Sequence, residues 1–566
     1  MNTLPWSTQS QETFAFIYEW LQECLKAHTC SSQYIRDGDR FAALDGIRFL
    51  SILGSKVVLV ENTYPKRYAC LSHCWGSVEM LKTTKASIAN HSTRGVLISA
   101  LPQTFHDAIY TCRTLGVSHI WIDSLCIVQD DLQDWSTQAS RMADVYENSF
   151  FTIAATSAKD AAEGLFHMTN PQFRGAGLPG YPDIHIWRIP PNPSGQFPER
   201  LGDSGPRHDP EDWPLLKRGW TYQELALSPR TIHFGEQEVF WQCRQSYERQ
   251  CSTIPFQPIS GFAHHSLRSA EVEGLGQGYM QRQWYTAVQK YSSRELTFDK
   301  DRLPAIAAIA ERISTFRPND RYLAGLWEST VLFDLIWYSP DPISDITRGN
   351  IGTHVHIPTW SWAILRNEVR WPWSHDQKYR LPGQPLRNSE VLDVTHCCEG
   401  AAVAGQILQA CITLRVPLLC FNDALAKWCE IETSTAEARN ERTHPILASN
   451  SSTNFGMAWA FRIRDVLQDF PLRNIRPIHD IFAVPLICAG YGDPISQPDK
   501  EQYMLLIRTT NNEGIFERVG VVVLSLQSLE PSDEDQRSNP GYSDGDAASE
   551  AMEYLQGLPT HDITLV

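Results

Sequence analysis

Residues 66–165 alternate between short apolar runs and helical stripes, and this alternation restricts the chain to a layered α/β architecture. Tyr68-Ala-Cys-Leu-Ser72 is a strand-length run that ends in His73-Cys-Trp-Gly76, where Gly76 suits a sharp turn. Leu101-Pro102 opens a helix, with Pro102 at a tolerated first-turn position. Phe105, Ala108, Ile109, Cys112 and Leu115 form its stripe, and Gly116 stops it. His119-Ile-Trp-Ile-Asp123 reads as the next strand. A second helix, capped by Asp134, places Trp135, Ala139, Met142, Val145 and Tyr146 on one face. Phe150–Ala155 is a third strand. Strands and helices at this spacing form right-handed βαβ units around a parallel sheet.

The rest of the chain is less regular. Residues 11–30 read as one amphipathic helix through Phe14, Ile17, Leu21, Cys24 and Leu25. Cys24 and His28 stand four residues apart with Cys30 just beyond, a spacing that begins a zinc site. No fourth ligand stands out in the sequence, so the reading taken is that no metal is bound. Residues 167–215 are rich in Pro and Gly and read as an irregular insertion with one strand, Ile184–Ile189. Arg218–Leu227 reads as a short helix. Arg230–Cys243 reads as two strands joined by a turn at Phe234-Gly-Glu-Gln237. From 280 to 340 the helical period dominates, through Leu303, Ile306, Ala307, Ala310 and Ile313, then Tyr322, Leu326, Trp327, Thr330, Leu332 and Trp337. Strand signals follow at Thr359–Ile364, Ala402–Leu419, Phe482–Cys488, Tyr503–Thr510 and Phe516–Leu526, with a hairpin turn at Asn511–Gly514. Residues 530–550 are acidic and polar, a disordered segment by composition. The expected organisation is a lead-in over 1–60, an α/β domain over 61–245, a helical region over 246–345 and a β-rich domain over 346–566.

Composition narrows the functional classes. The 566 residues carry 49 Lys+Arg against 65 Asp+Glu, a net charge of −16 with no basic block, which argues against nucleic acid and against an anionic membrane surface. No apolar run reaches the roughly 18–20 residues that span a bilayer. The N-terminus lacks the pattern of a signal peptide, so a cytoplasmic location with reduced cysteines is expected.

In an open parallel sheet, ligands bind beyond the carboxyl ends of the strands. That rule selects Ser72–Gly76, then Asp123 through Gln129, Asp130 and Asp131, then Arg218-Gly-Trp-Thr-Tyr-Gln-Glu224. Asp123 is either a carboxylate facing a cleft or a cap of the following turn. Glu224 beside Trp220 is either an acid–base group with a raised pKa or half of a surface pair with Arg218. Cys74 or Cys126 with His73 or His119 imitates a nucleophilic pair. No nucleophile elbow, phosphate loop, zinc-protease, kinase or dinucleotide fingerprint is present.

Taken together, three blocks resemble the fungal heterokaryon-incompatibility (HET) domain. They are Tyr68–Gly76, then Leu101–Ile109 through Trp121–Asp131 with Trp135, Gln138, Met142 and Tyr146, then Arg218–Glu224. Flanking stretches resemble full-length proteins of that type: Trp20, Cys24, His28 and Cys30 before the domain, and Tyr322–Trp327 and Pro358–Trp362 after it. The resemblance implies non-self recognition and programmed cell death, with protein partners and self-association. It also implies an N-terminal domain distantly similar to Toll/interleukin-receptor (TIR) domains, a TIR- or flavodoxin-like three-layer fold followed by a helical segment and a β-rich C-terminal region. Some TIR domains cleave NAD⁺, so NAD⁺ enters as a substrate rather than as a cofactor. On that reading Glu224 is the first carboxylate candidate, Asp123 the second and Glu147 a third. Arg218 would pair with phosphate, Trp75 or Trp220 would stack on a ring, and Ser72, Gly76, Gln129, Asp130 and Gln223 would line the site. Two other readings stay open: a non-catalytic interaction module, and a small-molecule enzyme reusing the scaffold.

Overall fold

The computed structural model describes residues 4–30, 44–76, 80–178, 181–186, 190, 213–251, 277–340, 357–372, 384–399, 406–420, 445–447, 460–468, 481–491, 499–510, 512, 514–527 and 556–566. The chain divides into two compact units. One holds Met1–Gly276 with Arg294–Leu296, and the other holds Gln277–Ser293 with Thr297–Val566.

The first unit is built on a nine-stranded sheet. Its strands in chain order are β1 (Arg48–Leu53), β2 (Lys56–Glu61), β3 (Ala69–Ser72), β4 (Val96–Leu97), β5 (His119–Trp121), β6 (Phe151–Ala154), β7 (Arg230–Phe234), β8 (Val239–Cys243) and β9 (Tyr247–Arg249). Their spatial order is β9-β8-β7-β6-β3-β5-β1-β2-β4. The four central strands β7, β6, β3 and β5 are parallel, in register Ala154↔His233, Ala69↔Phe151 and Ala69↔Ile120. Both flanks are antiparallel: β1 pairs with β5 and β2, and β8 pairs with β7 and β9. The expected parallel sheet is therefore only the centre of a mixed one. The buried centre reads as near-continuous apolar sequence, as strands covered on both faces do. The turn expected at 234–237 is present, closed by Gly235 N–H donating to Glu238 O at 3.1 Å.

Helix α1 (Gln11–Ala27) starts at Ser10, whose Oγ accepts from Thr13 N, and buries Phe14, Ile17, Leu21 and Cys24. It stops three residues short of the expected end, and Leu25 faces outward. Helix α2 (Gln103–Thr114) follows Pro102 and ends before Gly116, at φ +71°. The second helix expected is two: α3 (Leu132–Ser140) and α4 (Met142–Glu147). Asp131, not Asp134, caps α3, accepting from Gln133 N at 3.1 Å. Asp134 instead ion-pairs with Arg48 at 2.5 Å, and Trp135 is 41% exposed rather than on the buried face. The insertion contributes a hairpin of Ala176–Leu178 and Tyr181–Ile186; residues 187–189 of the expected strand lie outside the described residues. Helix α5 (Gly219–Leu227) leads into β7.

The second unit begins with α6 (Gln277–Ser292) and α7 (Ala307–Ser314). The stripe expected at 322–337 is not one helix. Tyr322–Leu323 and Leu326–Trp327 pair as a tight hairpin, because Gly325 at φ +102° reverses the chain. A Cβ there would meet Trp362 Nε1 at 2.5 Å. Trp284, Trp327, Trp337, Trp360, Trp362 and Trp371 are fully buried, and the indoles of Trp284 and Trp362 both donate to Gly325 O. Residues 359–364, expected as a strand, form a turn and a single 3₁₀ turn capped by Ser361. The C-terminal strands are present: β10 (Glu390–Glu399), β11 (Gln406–Pro417), β12 (Ala460–Gln468), β13 (Ile481–Tyr491), β14 (Asp499–Thr509), β15 (Ile515–Gln527) and β16 (Thr560–Leu565). They belong to one ten-stranded sheet, with β13-β14-β15-β16-β11-β10 along its path. The acidic segment 530–550 lies outside the described residues. No helix among the described residues is long and apolar enough to cross a membrane.

Candidate functional site

The carboxyl ends of β3 and β5 and the helix α5 bring the three sequence-selected segments together in the first unit. Beyond β3, Gly76 turns the chain at φ +67°, and its Cα sits so close to Asp160 that an added Cβ would lie 2.2 Å from that side chain. This turn sets Trp75 over the end of β5. There the indole Nε1–H donates to Asp123 Oδ2 at 2.8 Å. Asp123 Oδ1 accepts from Ser124 N at 2.7 Å and stands 3.9 Å from His73 Nδ1. Asp123 thus opens a one-turn helix, Asp123–Cys126, and still faces the cluster.

Arg218 occupies the N-cap of α5 and donates from Nη1 to His73 O at 3.1 Å. It does not form the surface pair with Glu224 that spacing suggested. Gly219 allows the close approach here: its N–H donates to Glu295 O at 2.7 Å, and a Cβ would meet Leu296 Cδ2 at 2.5 Å. Arg294 fixes the first turn from outside, donating to Thr221 Oγ1 at 3.0 Å. Glu224 then lies on the inward face of α5, 7% exposed. Tyr146 of α4 donates to Glu224 Oε2 at 3.0 Å, with Leu71 O as a competing acceptor at 3.1 Å.

Burial dominates the electrostatics. It pushes the Glu224 carboxyl up to about 7; Ser72, Arg218 and Tyr146 pull it down, and Asp123 pushes it further up. Ser72 Oγ is buried without a well-angled hydrogen bond among the described residues, yet a hydroxyl that rotates toward Glu224 favours the carboxylate. His73 is driven the other way, down to about 4, by burial, so its ring is neutral at pH 7; Asp123 opposes that shift and Arg218 adds to it. His73 Nε2 is buried without a hydrogen-bond partner among the described residues, while the ring packs edge-on against Phe105 at 5.0 Å. The Cys/His nucleophile reading fails on the same ground. Burial raises the Cys74 thiol and holds Cys126 at about 12, so neither is a ready thiolate.

The other sequence candidates divide by what their side chains already hold. Gln129 Nε2 reaches Asp123 O and Ile127 O, and Asp130 Oδ1 accepts from Lys85 N at 2.8 Å, so both brace the loop after β5. Trp75 is partly exposed with Lys82 Nζ 5.0 Å from its ring centre. Gln223 is buried and Trp220 partly exposed on α5. Glu147 stands 3.9 Å from Arg244. Tyr146 was not among the sequence candidates for the site, and His73 stood only as half of a nucleophilic pair. Tyr146 reads as a stripe residue, and only the packing of α4 against α5 brings its hydroxyl to Glu224. A cavity of about 260 Å³, lined by Phe173, Trp213, Glu236, Gln237, Glu238 and Phe240 among others, shares no residue with the cluster.

One further group of ligand-type side chains lies in this unit. Cys24, His28, Cys30 and Cys243 place a donor atom each within 4.8 Å of one another. The fourth ligand missing from the sequence reading is Cys243, at the end of β8.

Residues 68–224 match the family model described as heterokaryon incompatibility protein (HET), so that segment is similar to the family's domain. The matched segment begins at β3 and ends at Glu224, so it contains the whole strand-end cluster. No curated protein and no solved structure matches the chain.

Proposed function

We propose that this protein acts in a heterokaryon-incompatibility response of the cell-death type, and that the cluster at the ends of β3 and β5 is its hydrolytic centre, cleaving the N-glycosidic bond of NAD⁺ or a related nucleotide. The observation that carries the reading is Glu224: a buried carboxyl with a pKa near 7, set beside Asp123 and Arg218 where an open sheet receives ligands. Resemblance to TIR domains supplies the substrate to test.

The chemistry asks little of the protein. The C1′–N bond breaks, nicotinamide leaves with the bonding pair, and positive charge develops on the ribosyl carbon. Water attacks C1′ and gives its proton to the Glu224 carboxylate, which passes it to solvent. Asp123, held by Trp75 and Ser124, faces the developing cation. Arg218 takes the phosphate. A base that ionises near pH 7 is matched to this task.

The 7% exposure of Glu224 favours a second reading, in which the cluster is a packed polar core of an interaction module. One experiment separates the two. The purified full chain is incubated with NAD⁺ at concentrations that force self-association, beside Glu224→Gln and Asp123→Asn, with folding checked by circular dichroism. The hydrolytic reading expects NAD⁺ loss in the wild type and at least a hundredfold slower loss in each folded variant (the effect of removing a positioned acid–base group is about 10²–10⁴-fold). Absence of turnover at every concentration assigns the cluster to the interaction module.

A further inference from the structure

We propose that Cys24, His28, Cys30 and Cys243 form a structural zinc site that ties the end of α1 to β8. This site is separate from the strand-end cluster and does not depend on the activity proposed for it.

Cys24 is in the last turn of α1, and His28 is the C-cap, where the backbone turns extended at φ −110° and ψ 147°. That change of direction lets Cys30 fold back beside Cys24. Cys243 arrives from the far side as the last residue of β8. Three sulfurs and one ring nitrogen converge within 4.8 Å, and Cys243 Sγ lies 3.4 Å from His28 Nδ1. A tetrahedron with Zn–S of about 2.3 Å and Zn–N of about 2.0 Å has edges of about 3.5–3.8 Å, so the group needs only small adjustments to close around an ion.

The surroundings fit thiolates better than thiols. Backbone N–H groups of Gln245 and Ser246 point at Cys243 Sγ, at 3.4 and 3.2 Å, with Ser246 Oγ at 3.2 Å. A neutral thiol is a weak acceptor and gains little from such a set; an anionic sulfur gains a great deal. Arg230 Nε donates to Cys24 Sγ at 3.2 Å. Arg230 is 2% exposed, and no carboxylate pairs with it among the described residues. A buried guanidinium demands a counter-charge. Three thiolates around Zn²⁺ carry one net negative charge, and Arg230 neutralises it. Binding releases the three thiol protons to solvent.

A disulfide would consume two of the three sulfurs and leave the third beside the imidazole, whereas a cation uses all four donors. Three cysteines and one histidine leave no open position for water or substrate, so the role is structural. The ion replaces, for a 17-residue helix and the strand it crosses, part of what packing alone would supply.

The test is the metal content of the full-length protein, purified without chelator and measured by mass spectrometry of the elements. The expected result is about one zinc per chain. Cys24→Ser and Cys243→Ser lower it at least tenfold, while His28→Cys, which supplies a fourth thiolate, retains it. Replacing zinc with cobalt gives the visible ligand-field bands of a tetrahedral thiolate site, and these shift in His28→Cys. The wild-type measurement needs no variant to fold. Wild-type protein with less than about a tenth of a zinc per chain and no cobalt bands overturns the proposal. So does a disulfide among these cysteines, or a folded Cys243→Ser that holds zinc as the wild type does.

Discussion

Glu224 in the first unit and Asp334 in the second are both buried carboxylates, and the two are satisfied very differently. In the second unit Asp334 is fully buried and surrounded by donors: Tyr285 OH at 2.6 Å, Trp327 N at 2.7 Å, Gln281 Nε2 at 3.0 Å and Thr330 Oγ1 at 3.2 Å. Arg317, also buried, donates to Thr330 Oγ1 at the edge of this network. In the first unit Glu224 has one good donor, Tyr146, and unused polar atoms on Ser72 and His73 nearby. Burial raises the pKa of both. The contrast separates structure from chemistry. A saturated buried carboxylate locks several elements into one arrangement and has no capacity left for a ligand. An under-satisfied one at the end of a parallel sheet costs stability and is poised to exchange protons.

The largest effect expected from this contrast is at Asp334. Asp334→Ala strands the donors of Tyr285, Gln281 and Trp327 in the core, at about 1–3 kcal/mol each, and should destabilise the second unit by about 3–5 kcal/mol in denaturant unfolding. A loss under about 1 kcal/mol would mean that the two carboxylates do not differ in this way.

Glu224→Gln should behave in the opposite sense at high pH. The folded carboxyl titrates near 7, above its unfolded value of about 4.5, so its stabilising contribution is complete below pH 4.5 and disappears as pH rises through 7. Wild type should therefore lose about 2 kcal/mol relative to Glu224→Gln between pH 5 and pH 8. The comparison must be a difference between the two proteins. His73, whose folded pKa near 4 lies below its unfolded value, works against it by losing stability as pH falls from 6.5 toward 4. Parallel stability curves for the two proteins would contradict the assignment.

Tyr146→Phe removes the one well-angled donor to Glu224, with an expected loss of about 1 kcal/mol together with a higher midpoint for the Glu224-dependent step. A folded variant whose midpoint stays put would leave Tyr146 with a packing role only. The smallest effect belongs to Trp135, which lies in a HET-like block yet is 41% exposed. Trp135→Ala should change stability by less than about 0.5 kcal/mol and leave the pH dependence untouched. If it abolishes a cell-death response while NAD⁺ turnover persists, that surface is where a partner binds.

Much of the first unit was readable because its signals are local. The strands ending at Ser72 and Trp121 and the helix carrying Glu224 follow from apolar runs bounded by polar strand ends. The antiparallel edge of β1, β2 and β4 was missed, although Gly54-Ser55 between Leu50–Leu53 and Lys56–Val60 is a short hairpin signal, with Gly54 at φ +55°. The stripe from Tyr322 to Trp337 misled because aromatic residues buried on all sides imitate a helical period, while Gly325 decides the local backbone. In the candidate site, the strand-end position of the segments carrying Asp123, Arg218 and Glu224 was legible from the sequence. Tyr146 was not, since its role depends on two helices crossing. Nor was the fourth sulfur: Cys243 is 215 residues beyond His28, and no local pattern links them.

The central claim is that Glu224 is a working base rather than a packed core group, and the pH dependence of NAD⁺ turnover by the full-length protein tests it most directly. The predicted rate rises with pH through a midpoint near 7, moves in Tyr146→Phe and is lost in folded Glu224→Gln. A flat profile, or turnover that survives Glu224→Gln, would contradict it.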